Sequence, residues 1–247
     1  MKSTSLISSV FLLIIVACAN TSTAPKEVFK LKHEDPNILT HIVDPKKGNL
    51  NFYLKDDIGK NIPNHKVLAD WLKTQDKKLT FAVNGGMYNK DRTPQGLYVE
   101  NGKVIQPIAR KEKGYGNFYL QPNGVFAIDN NNNPVILPTT QFQNFESVKY
   151  ATQSGPMLLI DGKIHHKFNN GSTNVYIRNG VGILPDGHLL FAMSKKKINF
   201  FSFAKFFQKN DCKNALYLDG FVSRTYLPRK KWMQEDGNFG VIIGEIE

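Results

Sequence analysis

Short apolar runs separated by turn-forming residues recur along the chain, and this pattern limits the folds open to it. Asn101-Gly102, Asp161-Gly162 and Pro185-Asp186-Gly187 each lie between two such runs. Asn-Gly and Asp-Gly steps in this setting are typical of tight β-hairpins. The pattern therefore predicts a fold in which the strands are mostly antiparallel.

Three segments instead carry apolar residues at helical spacing, and they predict helices over Lys66–Gln75, Thr139–Lys149 and Asn199–Lys209. No internal repeat or linker interrupts residues 38–247. We therefore expect an α+β fold in a single domain, with a large, mostly antiparallel twisted sheet or sheets and about three packed helices.

The N-terminal residues 1–19 have the pattern of an export signal. Lys2 precedes the apolar stretch Leu6–Val16, which is too short to span a membrane. Two processing sites remain open: a lipobox in which Cys18 is lipidated, or a signal peptidase I site at Ala17-Cys18-Ala19. Residues 20–37 are predicted to form a polar tether and a first strand at Glu27–Lys32. We expect an exported protein in the periplasm, or one anchored through lipid to the membrane of a bacterial cell envelope.

The net charge bears on the kind of partner, and the cysteine count bears on disulfide bonding. The formal net charge of +11 suits an anionic partner. The basic runs are short and no nucleic-acid-binding motif accompanies them, so we expect no nucleic-acid partner, and we expect a monomer. With Cys18 lipidated or removed, Cys212 has no disulfide partner, and we interpret it as a buried structural thiol.

One acidic residue stands at the end of an apolar run. Asp219 follows Ala215–Leu218, which has the composition of a strand buried on both faces. A buried carboxylate is unfavourable unless it is paired, hydrogen-bonded or bound to a ligand. Gly220, Ser223 and Arg224 follow it closely. A functional Asp219 and a structural Asp219 that caps the next turn both remain open on this stretch alone.

A second polar group follows the apolar run Leu79–Val83. Asn84 is followed by Gly85 and Gly86, whose backbone N–H groups can approach an anion closely. A plain turn is the alternative.

A third group interrupts an apolar run. Gln153, Ser154 and Gly155 precede Pro156, and proline is disfavoured inside a strand unless the strand is bulged or at an edge. Such a break in a local rule can mark a functional position, with a structural bulge as the alternative.

A fourth group contains an arginine among apolar neighbours. On a strand, Arg178 shares a face with Asn174 and Tyr176. A buried guanidinium needs an anionic partner, which would be either Asp219 or a phosphate of the substrate.

Taken together and in this order, four motifs resemble the phosphodiester glycosidase family. They are Asn84-Gly85-Gly86-Met87-Tyr88, Gln153-Ser154-Gly155-Pro156-Met157-Leu158, Arg178-Asn179-Gly180-Val181-Gly182 and Leu218-Asp219-Gly220. The resemblance runs from about His41 to the C-terminus, and it implies a phosphodiester glycosidase-like domain over residues 38–247. One departure is Asp219-Gly220-Phe221-Val222-Ser223, where many members have further glycines.

The resemblance implies an enzyme that cleaves a sugar-1-phosphodiester, an anionic substrate of the cell envelope or of exopolysaccharide. An anionic phosphate leaves readily, so we hypothesise that Asp219 steers water or stabilises the oxocarbenium ion. Arg178 would neutralise the leaving group as the second catalytic residue. The predicted substrate-binding residues are Asn84, Gly85, Gly86, Gln153, Ser154, Gly155, Asn174, Gly220, Ser223 and Arg224.

Three points stay open. Asp91 is a weaker candidate for a second carboxylate. We predict no cofactor and no metal site. A divalent cation near Asp219 stays open, but nothing in the spacing implies one. The alternative functions are a non-catalytic envelope protein that binds anionic glycans or phosphorylated glycolipids, and an enzyme acting on peptidoglycan or exopolysaccharide at a linkage without phosphate.

Overall fold

The computed structural model describes residues 30–143, 147–219 and 222–247. Over these residues the chain is mainly β-strand with two α-helices, and Leu31–Glu247 form one compact unit. The strands are Ile38–Val43 (β1), Leu50–Tyr53 (β2), Leu79–Asn84 (β3), Tyr98–Glu100 (β4), Lys103–Gln106 (β5), Gly124–Asp129 (β6), Pro134–Pro138 (β7), Val148–Ser154 (β8), Met157–Ile160 (β9), Lys163–Ile164 (β10), Asn179–Ile183 (β11), Leu189–Ser194 (β12), Ala215–Asp219 (β13), Thr225–Leu227 (β14), Trp232–Met233 (β15) and Ile242–Ile246 (β16). The α-helices are His65–Lys73 (α1) and Phe200–Lys209 (α2).

The strands form three antiparallel sheets. The first has the order β1-β12-β11-β13-β9-β10, the second β15-β14-β3-β16-β2 and the third β5-β4-β8-β6-β7. A shared core of buried aromatic and aliphatic side chains joins the three, including Phe52 and Phe81 from the second sheet, Phe126 from the third and Phe191 from the first. The predicted antiparallel sheet architecture is confirmed.

The two α-helices cover apolar sheet faces and begin at asparagine caps. Asn64 accepts a hydrogen bond from Val67 N at 3.0 Å, which satisfies one of the free N–H groups at the start of α1. Asn199 does the same for Ser202 N at the start of α2. The helices predicted at Lys66–Gln75 and Asn199–Lys209 are therefore confirmed, with ends that differ by one or two residues.

The prediction of about three helices is wrong, because Thr139–Lys149 forms no helix in its described part. Val148 already belongs to β8, and Thr139–Gln143 form turn and loop, while residues 144–146 lie outside the described residues. The Arg110 guanidinium donates to the Thr139 and Phe142 carbonyl oxygens at 3.1 Å each. These tertiary bonds occupy backbone acceptors that a helix would need, so long-range contacts override the local spacing.

The predicted first strand at Glu27–Lys32 is not found in its described part. Residues 30–32 form no strand, and Glu27–Phe29 lie outside the described residues. Lys32 instead pairs with Asp211 at 2.8 Å, and His33 N donates to Asn210 Oδ1 at 2.9 Å. The segment is thus held by side chains that follow α2 rather than by a neighbouring strand.

Two further features bear on the sequence analysis. Cys212 is buried, as predicted, and burial raises the pKa of its thiol to about 12, which keeps it protonated and unreactive at neutral pH. Within the described ranges, no helix has the length and apolarity needed to cross a membrane.

Candidate active site

The ends of strands from all three sheets meet around Asp219. Asp219 is the last residue of β13 in the first sheet, and Asn84 is the last residue of β3 in the second. Ser154 ends β8 in the third sheet, and Asn179 begins β11 next to β13. The pairing register between β11 and β13 shifts here, so that Asp219 lies opposite Asn179 while Tyr217 lies opposite Gly180. Such a bulge re-aims side chains and is common beside functional sites.

Asp219 is nearly buried and is held from several directions. Asp219 is only 5% exposed, and its Oδ2 accepts a hydrogen bond from Asn84 Nδ2 at 2.7 Å. Its N–H donates to Asn179 Oδ1 at 2.9 Å, and its carbonyl accepts from Ser223 Oγ at 2.8 Å. These bonds fix both the backbone and the carboxylate, so the side chain is pre-organised.

Asn84 is the hub of this arrangement. Nδ2 donates to Val222 O at 2.6 Å as well as to Asp219. Oδ1 accepts from Asn179 Nδ2 at 3.0 Å and from Arg224 N at 2.9 Å. The side-chain amide therefore bonds to protein at both ends, which differs from its predicted contact with substrate. We refer to Asn84, Asn179 and Asp219 together as the Asn–Asp clasp.

The two predicted serines also face the protein. Ser154 Oγ donates to Leu218 O at 2.6 Å, which fixes the backbone immediately before Asp219. Ser223 Oγ donates to the carbonyl of Asp219 itself. Both hydroxyls position Asp219, whereas the sequence analysis assigned them to the substrate.

Arg178 is fully buried, and its hydrogen-bond partners are neutral. Nε donates to Ile198 O at 2.8 Å, Nη1 to Tyr217 Oη at 3.3 Å, and Nη2 to Asn174 O and Oδ1 at 2.9 and 2.7 Å. Its guanidinium carbon lies 3.5 Å from the centre of the Phe200 ring, a cation–π contact. Burial lowers the pKa of Arg178 below its ordinary value, but an arginine remains charged at neutral pH.

Of the two partners that the sequence left open for Arg178, Asp219 is not the one observed, because carbonyl groups, a hydroxyl and aromatic rings surround the guanidinium. Asn174 lies next to Arg178, as predicted, and accepts a hydrogen bond from it. The two residues are not on one strand, because β11 begins only at Asn179. Arg178 therefore contributes a buried positive charge behind the side chains of Asn174 and Tyr176.

Arg224 is committed elsewhere. Its Nε and Nη2 donate to the two oxygens of Asp236 at 2.8 and 2.7 Å, a bidentate ion pair. The hydrogen bond to Asp236 raises the pKa of Arg224. Only its backbone N–H reaches the Asn–Asp clasp, so the predicted contact of its side chain with phosphate differs from the observed geometry.

Gln153 and Gly155 have structural surroundings. Gln153 Oε1 accepts from Leu97 N and Ala109 N at 2.9 Å each, and Nε2 donates to Ala109 O at 2.7 Å. Gly155 is followed by a cis peptide bond, and a Cβ on it would lie 2.6 Å from Asn123 Cβ. Gln153 thus holds two backbone segments together, and Gly155 is closely packed, so the contacts seen for both residues are with the protein.

Gly85 and Gly86 lie behind the clasp in close packing. Gly85 N donates to Val241 O at 2.8 Å, so this N–H is already used by the protein. A Cβ on Gly85 would lie 2.4 Å from Ile243 Cγ1, and a Cβ on Gly86 would lie 2.5 Å from Thr152 Oγ1. Close packing therefore explains why both positions are glycine. The N–H of Gly85, which was predicted to contact an anion, already donates to Val241 O.

A cleft of about 820 Å³ opens over Asp219. Of the predicted site residues that the structure describes, Asp219 and Asn174 line it and the others do not. The sequence analysis did not assign the other described lining residues to the site. They are Met87, Tyr88, Lys90, Gln95, Tyr115, Gly116, Asn117 and Tyr176. Met87 and Tyr88 belong to a motif that the sequence analysis quoted, and Tyr176 was noted on the face of Arg178, but the others lie in loops without a periodic pattern.

Tyr88 lines the cleft, and the charge of Asp219 acts on its phenol. Burial raises the pKa of Tyr88, and the negative charge of Asp219 raises it further. Arg92 lies with its guanidinium carbon 5.0 Å from the centre of the Tyr88 ring. The Tyr88 phenol therefore stays protonated at neutral pH and can donate a hydrogen bond inside the cleft.

The remaining predicted residues fall outside the cleft or outside the described chain. Asp91 is exposed and accepts from Thr93 N and Oγ1 at 3.1 and 2.7 Å, which lowers its pKa. Gly220 and Cys18 lie outside the described residues, as does Phe221. Across residues 30–143, 147–219 and 222–247 there is no group of three or more His, Cys, Asp or Glu able to hold a metal ion.

Comparison with known proteins decides the family. A profile of the phosphodiester glycosidase family matches residues 77–240, a span that contains Asn84, Arg178 and Asp219. The chain belongs to the phosphodiester glycosidase family. The resemblance in the sequence motifs is thereby confirmed.

Relatives extend this comparison. "Uncharacterized protein YigE" of Escherichia coli (strain K12) is 36% identical over 166 residues. The match covers 66% of this chain and 63% of the relative, so it spans less than two thirds of that protein.

Solved structures share the fold of this phosphodiester glycosidase family member. The catalytic domain of zebrafish N-acetylglucosamine-1-phosphodiester alpha-N-acetylglucosaminidase, auto-inhibited by its pro-peptide, has a TM-score of 0.57 at 16% identity and covers 87% of this chain and 85% of its own. A putative exported protein of Burkholderia pseudomallei K96243 has a TM-score of 0.59 at 10% identity and covers 84% of this chain and 73% of its own. At these identities the likeness shows the fold.

Proposed function

We propose that this protein hydrolyses the glycosidic bond of a sugar-1-phosphodiester, with Asp219 as the catalytic carboxylate. The observation that carries the proposal is a nearly buried carboxylate, fixed by Asn84 and Asn179, that lines an 820 Å³ cleft in a phosphodiester glycosidase family member. The zebrafish enzyme of similar fold is named for N-acetylglucosamine-1-phosphodiester cleavage, which makes that linkage the first to test.

The reaction breaks the bond between C1 of the sugar and the phosphate oxygen. The electron pair of that bond leaves with the phosphate, which becomes a phosphomonoester, and water adds to C1 and loses one proton. Asp219 carries the negative charge that stabilises the oxocarbenium-like transition state and orients the attacking water. Among the described residues that line the cleft it is the one acid, in agreement with a leaving group that needs little protonation.

Positive charge for the leaving phosphate comes from two sources. Lys90 lines the cleft and is exposed, so its ammonium group can contact a phosphate oxygen directly. Arg178 lies behind Asn174 and Tyr176, and the field of a buried charge acts over a longer distance than that of an exposed one. Tyr88 adds a hydrogen-bond donor near Asp219.

We further propose that the enzyme acts outside the cytoplasm on cell-envelope or exopolysaccharide material. The support is the export signal that the sequence predicts over residues 1–19, in which Cys18 would be the lipid attachment site or part of the processing site. The net charge of +11 also favours anionic glycans. Labelling of cells with radioactive palmitate tests the anchor. Incorporation that is lost in Cys18→Ser supports lipidation, and an unlabelled wild type excludes it.

One observation supports a second, non-catalytic function. Glycosidases usually use two carboxylates, and the described lining of this cleft contains one. A non-catalytic protein that binds anionic glycans in the same cleft is therefore the alternative to test.

Release of sugar from purified protein distinguishes the two. The substrates are methyl phosphodiesters of N-acetylglucosamine-1-phosphate, glucose-1-phosphate and galactose-1-phosphate. We expect turnover of at least one by wild type, and a loss of about 10³-fold or more in Asp219→Asn, because the amide cannot stabilise positive charge. Asp161→Asn is the matched control, since Asp161 is an exposed carboxylate in a hairpin turn.

One outcome would contradict the role of Asp219, and another would contradict the enzyme itself. Equal turnover by wild type and Asp219→Asn would remove Asp219 from the mechanism. No turnover of any substrate, together with equal binding of anionic glycans by wild type and Asp219→Asn, would favour the binding protein.

A further inference from the structure

The two α-helices of the protein differ in the charges that they present to solvent. The charged residues of α2 are Lys205 and Lys209, and this helix contains no acid. Residues 195–197, three exposed lysines, lie just before it in the chain. In α1, by contrast, Lys66 is paired with Asp70 at 2.7 Å. An excess of one sign of charge on and beside one helix favours contact with a surface of the opposite sign.

The two lysines of α2 lie on the side of the helix that faces away from the core. Residues four apart lie on the same side of a helix, so Phe201, Lys205 and Lys209 follow one another along α2. Both lysines are exposed and Phe201 is partly buried. On the opposite side, Phe203 and Phe207 are fully buried against the first sheet. The fold uses the apolar side of α2 and leaves this row, which we call the α2 stripe, facing solvent.

Acids of the protein neutralise the α2 stripe only in part. The described carboxylates that form ion pairs do so with residues other than Lys205 and Lys209, and Asp211 is among them. Lys205 Nζ instead donates to the neutral Gln208 at 2.9 Å. Asp35 lines the adjoining groove of about 290 Å³ together with both lysines. Two lysines against one acid leave this groove with a net positive charge.

The chain enters the described domain at the C-terminal end of the same helix. His33 N donates to Oδ1 of Asn210, the residue that caps the end of α2, and Asn210 Nδ2 donates back to His33 O, at 2.9 and 3.0 Å. Residues 19–30 join Cys18 to the start of the described chain, and twelve residues span at most about 40 Å. A lipid on Cys18 would therefore keep this end of α2 within about 40 Å of a membrane.

We propose that the α2 stripe, together with the three lysines at 195–197, docks on the anionic phospholipid head groups of the membrane that holds the N-terminal anchor. Exposed ammonium groups contact phosphates without a shaped pocket, which suits a surface of repeated head groups. Phe201 adds a partly buried aromatic ring of the kind that lies at the head-group boundary. The inference goes beyond the proposed reaction, and it uses the proposed Cys18 anchor only to bring α2 near a membrane.

Sedimentation with lipid vesicles tests the surface on the full chain carrying Cys18→Ser, to which no lipid is attached. The vesicles contain either phosphatidylcholine alone or phosphatidylcholine with about 30% phosphatidylglycerol. At about 0.05 M salt we expect roughly hundredfold stronger partition onto the anionic vesicles, and at about 0.5 M salt we expect this preference to disappear because salt screens the charges. The predicted export signal is present in every sample, so its contribution is common to all variants.

Paired variants then assign the preference to the stripe. In the same background, Lys205→Gln with Lys209→Gln should weaken partition onto the anionic vesicles roughly twentyfold, at about fivefold for each lysine near such a surface. Lys73→Gln with Lys77→Gln is the matched control. It removes the same charge at the same spacing from two exposed lysines at the end of α1, which packs on the second sheet rather than the first. The control should keep partition within about twofold.

Three results would overturn the proposal. The first is equal partition of the Cys18→Ser protein onto neutral and anionic vesicles. The second is an equal loss in the α1 control, which would assign the effect to net charge. The third is binding to soluble alginate that depends on Lys205 and Lys209 without binding to anionic vesicles, which would assign the stripe to a glycan. The comparison of sugar release by wild type and Asp219→Asn does not involve this surface, so the proposed function is tested separately.

Discussion

Replacement of Asn84 by alanine is the perturbation that most directly tests the Asn–Asp clasp. The side-chain amide makes four hydrogen bonds inside the protein, to Asp219 Oδ2, Val222 O, Asn179 Nδ2 and Arg224 N, at 2.6–3.0 Å. Alanine removes all four bonds in a region where Asn84 is fully buried. At about 1 kcal/mol for each bond, we expect the free energy of unfolding to fall by about 4 kcal/mol.

Urea unfolding followed by tryptophan fluorescence measures this loss. A total stability of about 5–15 kcal/mol is usual for a domain, so the variant should remain folded with a clearly lower urea midpoint. Asn130→Ala is the matched control, because Asn130 is exposed and its side chain makes no such set of bonds. A loss below about 1 kcal/mol in Asn84→Ala, similar to that in the control, would refute the hub role of Asn84.

Three further predictions concern stability. Burial lowers the pKa of His65 to about 4, whereas in the unfolded chain it is about 6.5, so as the pH falls the unfolded chain binds this proton first. His65 should therefore lower the free energy of unfolding by about 3 kcal/mol between pH 6.5 and pH 4. In urea unfolding at several pH values, the free energy of unfolding of His65→Gln should depend less steeply on pH over this range. An unchanged slope would contradict burial as the cause. Arg178→Lys keeps a positive charge but loses the forked hydrogen bonds of the guanidinium and its stacking on Phe200. We expect its free energy of unfolding to fall by about 3 kcal/mol. A loss under about 1 kcal/mol would show that the forked hydrogen bonds are dispensable. Gly85→Ala would place a Cβ 2.4 Å from Cγ1 of buried Ile243. The resulting overpacking should destabilise the fold by about 1–3 kcal/mol and lower the thermal unfolding midpoint accordingly. An unchanged midpoint would mean that β16 moves aside at no measurable cost.

Local signals in the sequence predicted elements whose determinants are also local. The helix at α1 is set by the Asn64 cap and by Leu68 and Leu72 on one face, all of which lie within one short segment. The segment Thr139–Lys149 has a similar spacing, but bonds from Arg110, which lies far away in the sequence, hold it as a loop. Long-range bonds of this kind have no local sequence signature.

The candidate site was predictable to a similar extent. Asp219 could be found because a carboxylate at the end of an apolar strand requires an explanation. Sequence alone cannot show whether a buried polar residue faces a ligand or the protein. Ser154 and Gln153 were therefore expected to contact the substrate, although their partners are groups of the protein itself. Tyr115 was missed because an exposed aromatic residue in a loop belongs to no periodic pattern.

The position of bond cleavage is the central claim of the proposed mechanism, and hydrolysis in water enriched in oxygen-18 tests it directly. If Asp219 promotes attack on C1 of the sugar, mass spectrometry should find the label in the released sugar and none in the phosphomonoester. Label in the phosphomonoester would mean that the P–O bond breaks, and it would contradict the assignment of this cleft as a glycosidase site.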